Sequence, residues 1–298
     1  MNSIDRINKL EDDFMEIDYL VYSAHKTGTQ SLVETLQHND LKSLHLHQLQ
    51  NLGLKKGDFQ KYVEEYVKKN NRKLKILTVF REPMERQISS FFEAYGSEPI
   101  RLDKVKDPTE TIIYKYSFKQ LQRKFHIELA TKTLMGYRES IHEICQELGI
   151  SLRDFKSIDE TKKLFLCETE SITLHLIEFH ELIRNFESIL TIITKVPITS
   201  KVANMADAKW YKDVYHDFKM SLALPQKLIS AIYNDKRGII DFIYPAGFES
   251  KESQAMGKYG KKSKSTFRSY WDYSHLIWIQ MKHKIIKRMK NIIQDNLR

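Results

Sequence analysis

Short apolar runs that alternate with segments of helical periodicity constrain this chain more than any other feature. Asp18–Ala24 (DYLVYSA), Leu41–Leu49 (LKSLHLHQL), Lys73–Phe80 (KLKILTVF) and Lys162–Thr169 (KKLFLCET) have the length and composition of strands. Between them, Gly28–His38 places Leu32, Val33 and Leu36 at helical spacing. Asp58 is positioned to cap a helix running to Asn70, with Phe59, Tyr62, Val63 and Tyr66 on one face. Pro83 suits the first turn of a helix reaching Tyr95. Helices are also expected over Phe118–Leu134, Tyr137–Leu148, the stretch from Thr169 to Leu190, Ala206–Met220 and Pro225–Tyr233. Gly96–Tyr116, with two prolines and mixed charges, reads as an irregular surface insertion.

Strands alternating with helices predict an α/β fold with a central, mostly parallel sheet flanked by helices. The simplest partition is one α/β domain over residues 1–250. Residues 251–298 then form a basic loop and an amphipathic helix, packed on that domain or extending from it.

A 41% apolar content supplies a core, and 11% aromatic residues argue against disorder. The first eighteen residues are polar and acidic, and no long uncharged apolar run follows. Neither a signal peptide nor a membrane span is therefore expected, and the chain reads as cytoplasmic. On that reading Cys145 and Cys167 are expected to be reduced, buried thiols. The net charge of +9 is uneven: residues 251–298 hold twelve Lys or Arg against three Asp or Glu. The basicity thus belongs to the tail, and no nucleic-acid partner is implied for the core.

In open α/β sheets, ligands lie beyond the carboxyl ends of the strands. After the first strand stands SAHKTGTQS, with small residues around Gly28 at a strand-to-helix turn. Backbone N–H groups at such a helix start converge on an anion, with help from the helix dipole. Lys26 adds a cation, and Thr27, Thr29, Gln30 and Ser31 add donors. An ATP-binding loop would instead read GxxxxGK[ST], with Lys after Gly. The plain alternative is a Gly-containing turn with a Ser/Thr cap. After the third strand stands Arg81, with Ser89 two helical turns further on. A guanidinium and a hydroxyl so placed can grip one phosphate, although Arg81 alone could simply pair with Glu82 or Glu85.

Together the two stretches resemble the signatures of sulfotransferases that use 3′-phosphoadenosine 5′-phosphosulfate (PAPS). Lys26, Gly28, Thr29 and Ser31 match the K-x-G-T-x-S loop that holds the 5′-phosphosulfate in that family. Arg81, Pro83, Arg86 and Ser89 match the R-[DE]-P-x-x-R-x-x-S stretch that holds the 3′-phosphate. A third stretch, NMADAKWYKDVYHDFK (Asn204–Lys219), resembles the signature of a bacterial family of capsular polysaccharide synthesis proteins, with Lys212 where a serine is common. The resemblance spans residues 18–250. It implies a P-loop-like fold, a PAPS donor with 3′-phosphoadenosine 5′-phosphate (PAP) as product, no metal, and a saccharide or related hydroxyl as acceptor. It also makes Lys209 and Tyr211 candidate contacts to the donor, whereas Trp210, Tyr215 and Phe218 suit the packed face of a helix.

Sulfuryl transfer to a hydroxyl needs a base, and histidine suits that task near neutral pH. Strand periodicity places His45 and His47 on one face. His47, nearer the carboxyl end, is the preferred base, with His45 orienting it or touching the acceptor and His25 as the weaker candidate. Two His at this spacing could also bind a metal, but no third ligand stands out. His175 and His180 are expected on one helix, five apart and so not on one face, in surface or core roles. In the tail, Trp278, Met281, Ile285, Met289 and Ile292 recur at helical spacing among lysines. That stripe packs on the core, touches an anionic membrane surface or holds an anionic polysaccharide. The Lys-rich GKYGKKSKS before it is a candidate loop over the cofactor. Two rival readings are a nucleotide-dependent kinase of the same fold and a noncatalytic anion-binding protein of the capsule machinery.

Overall fold

The computed structural model describes residues 12–49, 57–97, 118–134, 139–201 and 212–261. Its chain divides into two compact units. One comprises Met1–Ser90, Arg138–Lys212 and Gly238–Gly247; the other comprises Phe91–Tyr137, Asp213–Arg237 and Phe248–Arg298.

The first unit is built on a six-stranded sheet. Its strands are β1 (Tyr19–Tyr22), β2 (Ser43–Leu46), β3 (Leu74–Phe80), β4 (Lys156–Asp159), β5 (Leu164–Glu168) and β6 (Ile172–Glu178), in the order β2-β1-β3-β6-β5-β4. The pairs β2–β1, β1–β3 and β3–β6 are parallel. The pairs β6–β5 and β5–β4 are antiparallel, so the sheet is mixed rather than wholly parallel. The change of direction has a local cause. Only Thr169–Ser171 separates β5 from β6, too short for a crossover and suited to a hairpin. Thr169 closes that turn, its hydroxyl accepting from the Ser171 and Ile172 N–H groups.

The stretch expected as a helix from Thr169 is therefore corrected. Ile172, Leu174 and Leu176 alternate with Thr173 and His175, which is strand periodicity. The helical part begins only at α6 (Phe179–Arg184) and continues in α7 (Phe186–Thr194). α1 (Thr29–His38), α2 (Phe59–Asn70), α3 (Pro83–Ser97), α4 (Phe118–Leu134) and α5 (Ser140–Leu148) lie close to the expected positions. Asp58 does not cap α2 through its side chain; its backbone is already helical, and the helix ends at Asn71 in a left-handed conformation.

The strand residues divide between two faces. Tyr19, Val21, Leu77, Val79 and Ile177 pack with Leu32 and Leu36 of α1, Leu182 of α6 and Ile189, Leu190 and Ile193 of α7. On the opposite face, the buried Tyr22 hydroxyl donates to Glu143 of α5 at 2.5 Å. β1 is wholly buried, as a central strand covered on both faces must be.

The second unit contains the later residues of α3, α4, α8 (Lys212–Ser221), α9 (Gln226–Asn234), α11 (Gly247–Tyr259) and a small parallel pair, β7 (Leu224–Pro225) with β8 (Gly260–Lys261). The short α10 (Arg237–Ile243) belongs mainly to the first unit. Phe218 packs against Phe91, Phe92 and Phe125 at 5.8, 5.1 and 5.4 Å between ring centroids. All four rings are buried, as expected for the packed face of α8.

The proposed cofactor-covering loop begins differently from expectation. Gly257–Tyr259 completes α11, and Gly260–Lys261 pairs with β7. The apolar stripe from Tyr270 lies outside the described residues. Among the described residues no helix is long and apolar enough to cross a membrane, and both cysteines are buried thiols.

Candidate functional site

β2, β1, β3 and β6 are adjacent and parallel, so their carboxyl ends share one edge of the sheet. That edge carries His47 after β2, the Ser23–Gly28 loop after β1, Arg81 after β3 and Glu178 at the end of β6. Each group is there because its strand stops there.

Ser23 is the hub, and the sequence reading passed over it. It is fully buried. Its N–H donates to the Leu46 carbonyl of β2 at 3.2 Å. Its hydroxyl donates to the Val79 carbonyl at 3.0 Å and accepts from the Val79 N–H at 3.1 Å. One serine thus ties β1 to both neighbouring strands. Its only sequence signal is a lone small hydroxyl closing an apolar run, in a buried place where a polar atom must find partners.

The loop then turns sharply. Lys26 adopts a left-handed backbone with φ +67°, unusual for a side chain of its type, and Gly28 follows at +76° as the N-cap of α1. Glycine is favoured at such an angle. No side chain caps the helix, so its start offers backbone N–H groups and the positive end of the dipole. Thr29 and Ser31 are nearly buried in this first turn. Two expected side-chain donors are engaged elsewhere. The buried Thr27 hydroxyl donates to the Ala24 carbonyl at 2.7 Å and lies 2.8 Å from the Ser23 hydroxyl. Gln30 lies along the exposed helix surface, donating to Glu34 at 2.9 Å.

His47 sits just past β2. Its Nδ1 lies 2.7 Å from the Ser23 carbonyl. A carbonyl only accepts, so Nδ1 carries the proton and Nε2 keeps its lone pair. His45 Nε2 approaches the same Nδ1 at 3.2 Å and therefore accepts there, which places the His45 proton on its own Nδ1. The His25 ring lies against His47, with 3.4 Å between centroids. Burial holds His47 below the ordinary imidazole range, against the opposing pull of the Ser23 carbonyl. Burial and two neighbouring imidazoles push His45 down to about 4. For His45 and His47 the net shift is downward, which favours neutral rings at pH 7. Among the described residues no group of three or more His, Cys, Asp or Glu is arranged to hold a metal ion.

Arg81, half-buried, donates from Nη1 to the Lys26 carbonyl at 2.9 Å, and its guanidinium lies 4.3 Å from the centre of the Phe179 ring. It thereby joins the turn after β3 to the loop after β1. Ser89 is half-buried two turns into α3. Arg86, counted in the same signature, is 2% exposed and forms a two-pronged ion pair with Glu139 at 2.7 Å on each side. Glu82 accepts from the Met84 and Glu85 N–H groups and so caps α3. Lys209 and Tyr211 lie outside the described residues.

His175 and His180 do not share a helix. His175 lies in β6, buried, with Nδ1 lacking a partner, and burial pushes its imidazole down to about 4. His180 lies in α6 and bridges two carboxylates, Glu178 at 3.0 Å and Glu85 at 2.8 Å. Those hydrogen bonds push its imidazole up to about 9. Because the folded value is raised above about 6.5, this contribution to stability is complete below that pH and is lost as pH rises through about 9. An NMR titration of His180 is therefore expected to show a midpoint near 9, falling toward 6.5 in Glu85→Gln. A wild-type midpoint near 6.5 would show that the bridge does not persist in solution.

Comparison of the chain with protein-family models, with curated proteins and with solved structures returned no match.

Proposed function

We propose that this chain is a PAPS-dependent sulfotransferase of P-loop-like fold. It moves a sulfuryl group to a hydroxyl of a saccharide or related acceptor in the cytoplasm, in capsule or surface polysaccharide synthesis. One observation carries the reading. Three adjacent parallel strands end together, and they bear an imidazole with its Nε2 lone pair available, an uncapped Lys-Thr-Gly helix start, and an arginine. A base and two cationic anchors side by side suit an acceptor hydroxyl and a donor with two separated anionic groups.

The donor set fits such a molecule. Lys26 and the α1 N–H groups, with Thr29 and Ser31, would hold the phosphosulfate end. Arg81 and Ser89 would hold the 3′-phosphate, with Lys209 and Tyr211 as further contacts on the strength of the sequence resemblance alone. When bound, PAPS supplies an activated sulfuryl group. His47 takes the acceptor proton at Nε2, and the Ser23 carbonyl holds the tautomer that leaves this atom basic. Glu178 is the acidic residue ending β6, and its oxygens already accept from His180, the Tyr244 hydroxyl and the Glu181 N–H.

A thermal-shift panel tests the proposal. PAP is expected to stabilise the protein far more than AMP or ATP, without Mg²⁺. A ligand at about 100 times its Kd adds roughly 2.7 kcal/mol, a clear rise in Tm. Equal stabilisation by AMP would remove the 3′-phosphate assignment. A requirement for Mg²⁺ with ATP would favour a kinase.

A further inference from the structure

The strand edge carries one more arrangement. Phe179 follows Glu178 directly, at the corner where β6 turns into α6. Its ring lies near two groups already placed in the site. The Arg81 guanidinium lies 4.3 Å from the ring centre, and the ring edge is near enough to the loop that a Cβ added at Gly28 would come into contact with it at 3.5 Å. The guanidinium is therefore held on two sides, by this aromatic face and by the Lys26 carbonyl.

The corner that presents Phe179 is itself fixed. Glu178 accepts from the Glu181 N–H at 2.9 Å, which caps α6, and from the buried Tyr244 hydroxyl at 2.9 Å. His180, on the other side of Phe179, reaches Glu85 in the first turn of α3. Glu85 and Arg81 belong to the same strand-to-helix turn. The Glu178–His180–Glu85 chain thus ties the Phe179 turn to the Arg81 turn. An arginine side chain otherwise loses several rotatable bonds' worth of freedom on binding a phosphate. A ring held rigidly beneath it removes part of that cost in advance.

We propose that Phe179 is a positioning residue for Arg81: by holding the guanidinium beside the Lys26–Gly28 loop, it determines how strongly the protein distinguishes a nucleotide with a 3′-phosphate from one without. The inference rests on the sulfotransferase reading above. It predicts that discrimination depends on an aromatic face at this position rather than on bulk alone.

The test compares PAP and AMP binding by calorimetry in wild type, Phe179→Leu and Phe179→Tyr, each shown to be folded by circular dichroism. Phe179→Leu is expected to lower PAP affinity about tenfold, roughly 1.4 kcal/mol, and leave AMP affinity nearly unchanged. Phe179→Tyr keeps a ring and is expected to retain the preference. His180→Gln, which loosens the corner without touching the ring, should reduce the preference in the same direction by a smaller factor. If wild type prefers PAP and Phe179→Leu keeps the full preference, the positioning role is overturned while the functional reading stands. If Phe179→Leu weakens PAP and AMP alike, the residue is structural only, and the inference again fails. A wild-type protein with no preference for PAP overturns the functional reading, and this inference with it.

Discussion

His47→Ala is expected to lower turnover by roughly 10²–10⁴ while leaving PAP affinity nearly intact, the usual range for loss of a general base. The reason lies in the tautomer. The Ser23 carbonyl, 2.7 Å away, accepts the Nδ1 proton, so Nε2 is basic without any rearrangement. Burial lowers the imidazole, so the neutral form that can accept a proton dominates at pH 7. The rate should accordingly fall on the acid side, below the ordinary imidazole range, and stay level through pH 7. His45→Ala should cost less. It removes an acceptor from the His47 Nδ1 proton but leaves the Ser23 carbonyl in place. Single-turnover rates of the two variants, beside PAP affinities, separate the roles. Normal turnover by His47→Ala with loss in His45→Ala would exchange their assignments. Full activity in both would move the base to His25, whose ring already lies against His47.

Sequence reading and structure agree most closely around β1 and α1. An apolar run, a glycine and a helical repeat lie within about twenty residues there, and each constrains the next. The approach of His45 to His47 was legible from the alternation of the run, although β2 stops at Leu46 and His47 lies just past it. The order of the strands was not. β3 pairs with β6 across nearly a hundred residues, with register Leu74↔Ile172 through Phe80↔Glu178, and no local pattern encodes that partner. Misreading Ile172–Glu178 as helix then hid everything attached to its end. With β6 unrecognised, Glu178, Phe179 and His180 had no place on the sheet edge. The Ser23 hub was hidden differently, because its hydrogen-bonding connections reach residues 23 to 56 positions away or fold back within the loop. The signal available was chemical rather than periodic: a polar side chain in a wholly buried strand must be bonded to something.

Arg86 shows where a motif match and a physical role part. The residue fits the second signature, yet its guanidinium is buried and locked to Glu139, 53 positions along the chain. Glu139 in turn starts α5, its carbonyl accepting from the His142 and Glu143 N–H groups. Arg86→Met is therefore expected to destabilise the fold by about 3–5 kcal/mol, because it strands a carboxylate that is 3% exposed. Urea denaturation reads this as a lower midpoint with little change in slope. The pair itself need not be a net gain over apolar packing, since both charges lost their water to form it. The double variant Arg86→Met with Glu139→Met should therefore recover much of the loss, and that recovery separates a stranded charge from a simple packing defect. At temperatures where it remains folded, the double variant should bind PAP nearly as well as wild type, as Arg81 and the Lys26–Gly28 loop are untouched. A folded double variant that had lost PAP binding would return Arg86 to the ligand site. A single variant losing less than about 1 kcal/mol would mean that the buried pair is not formed as described.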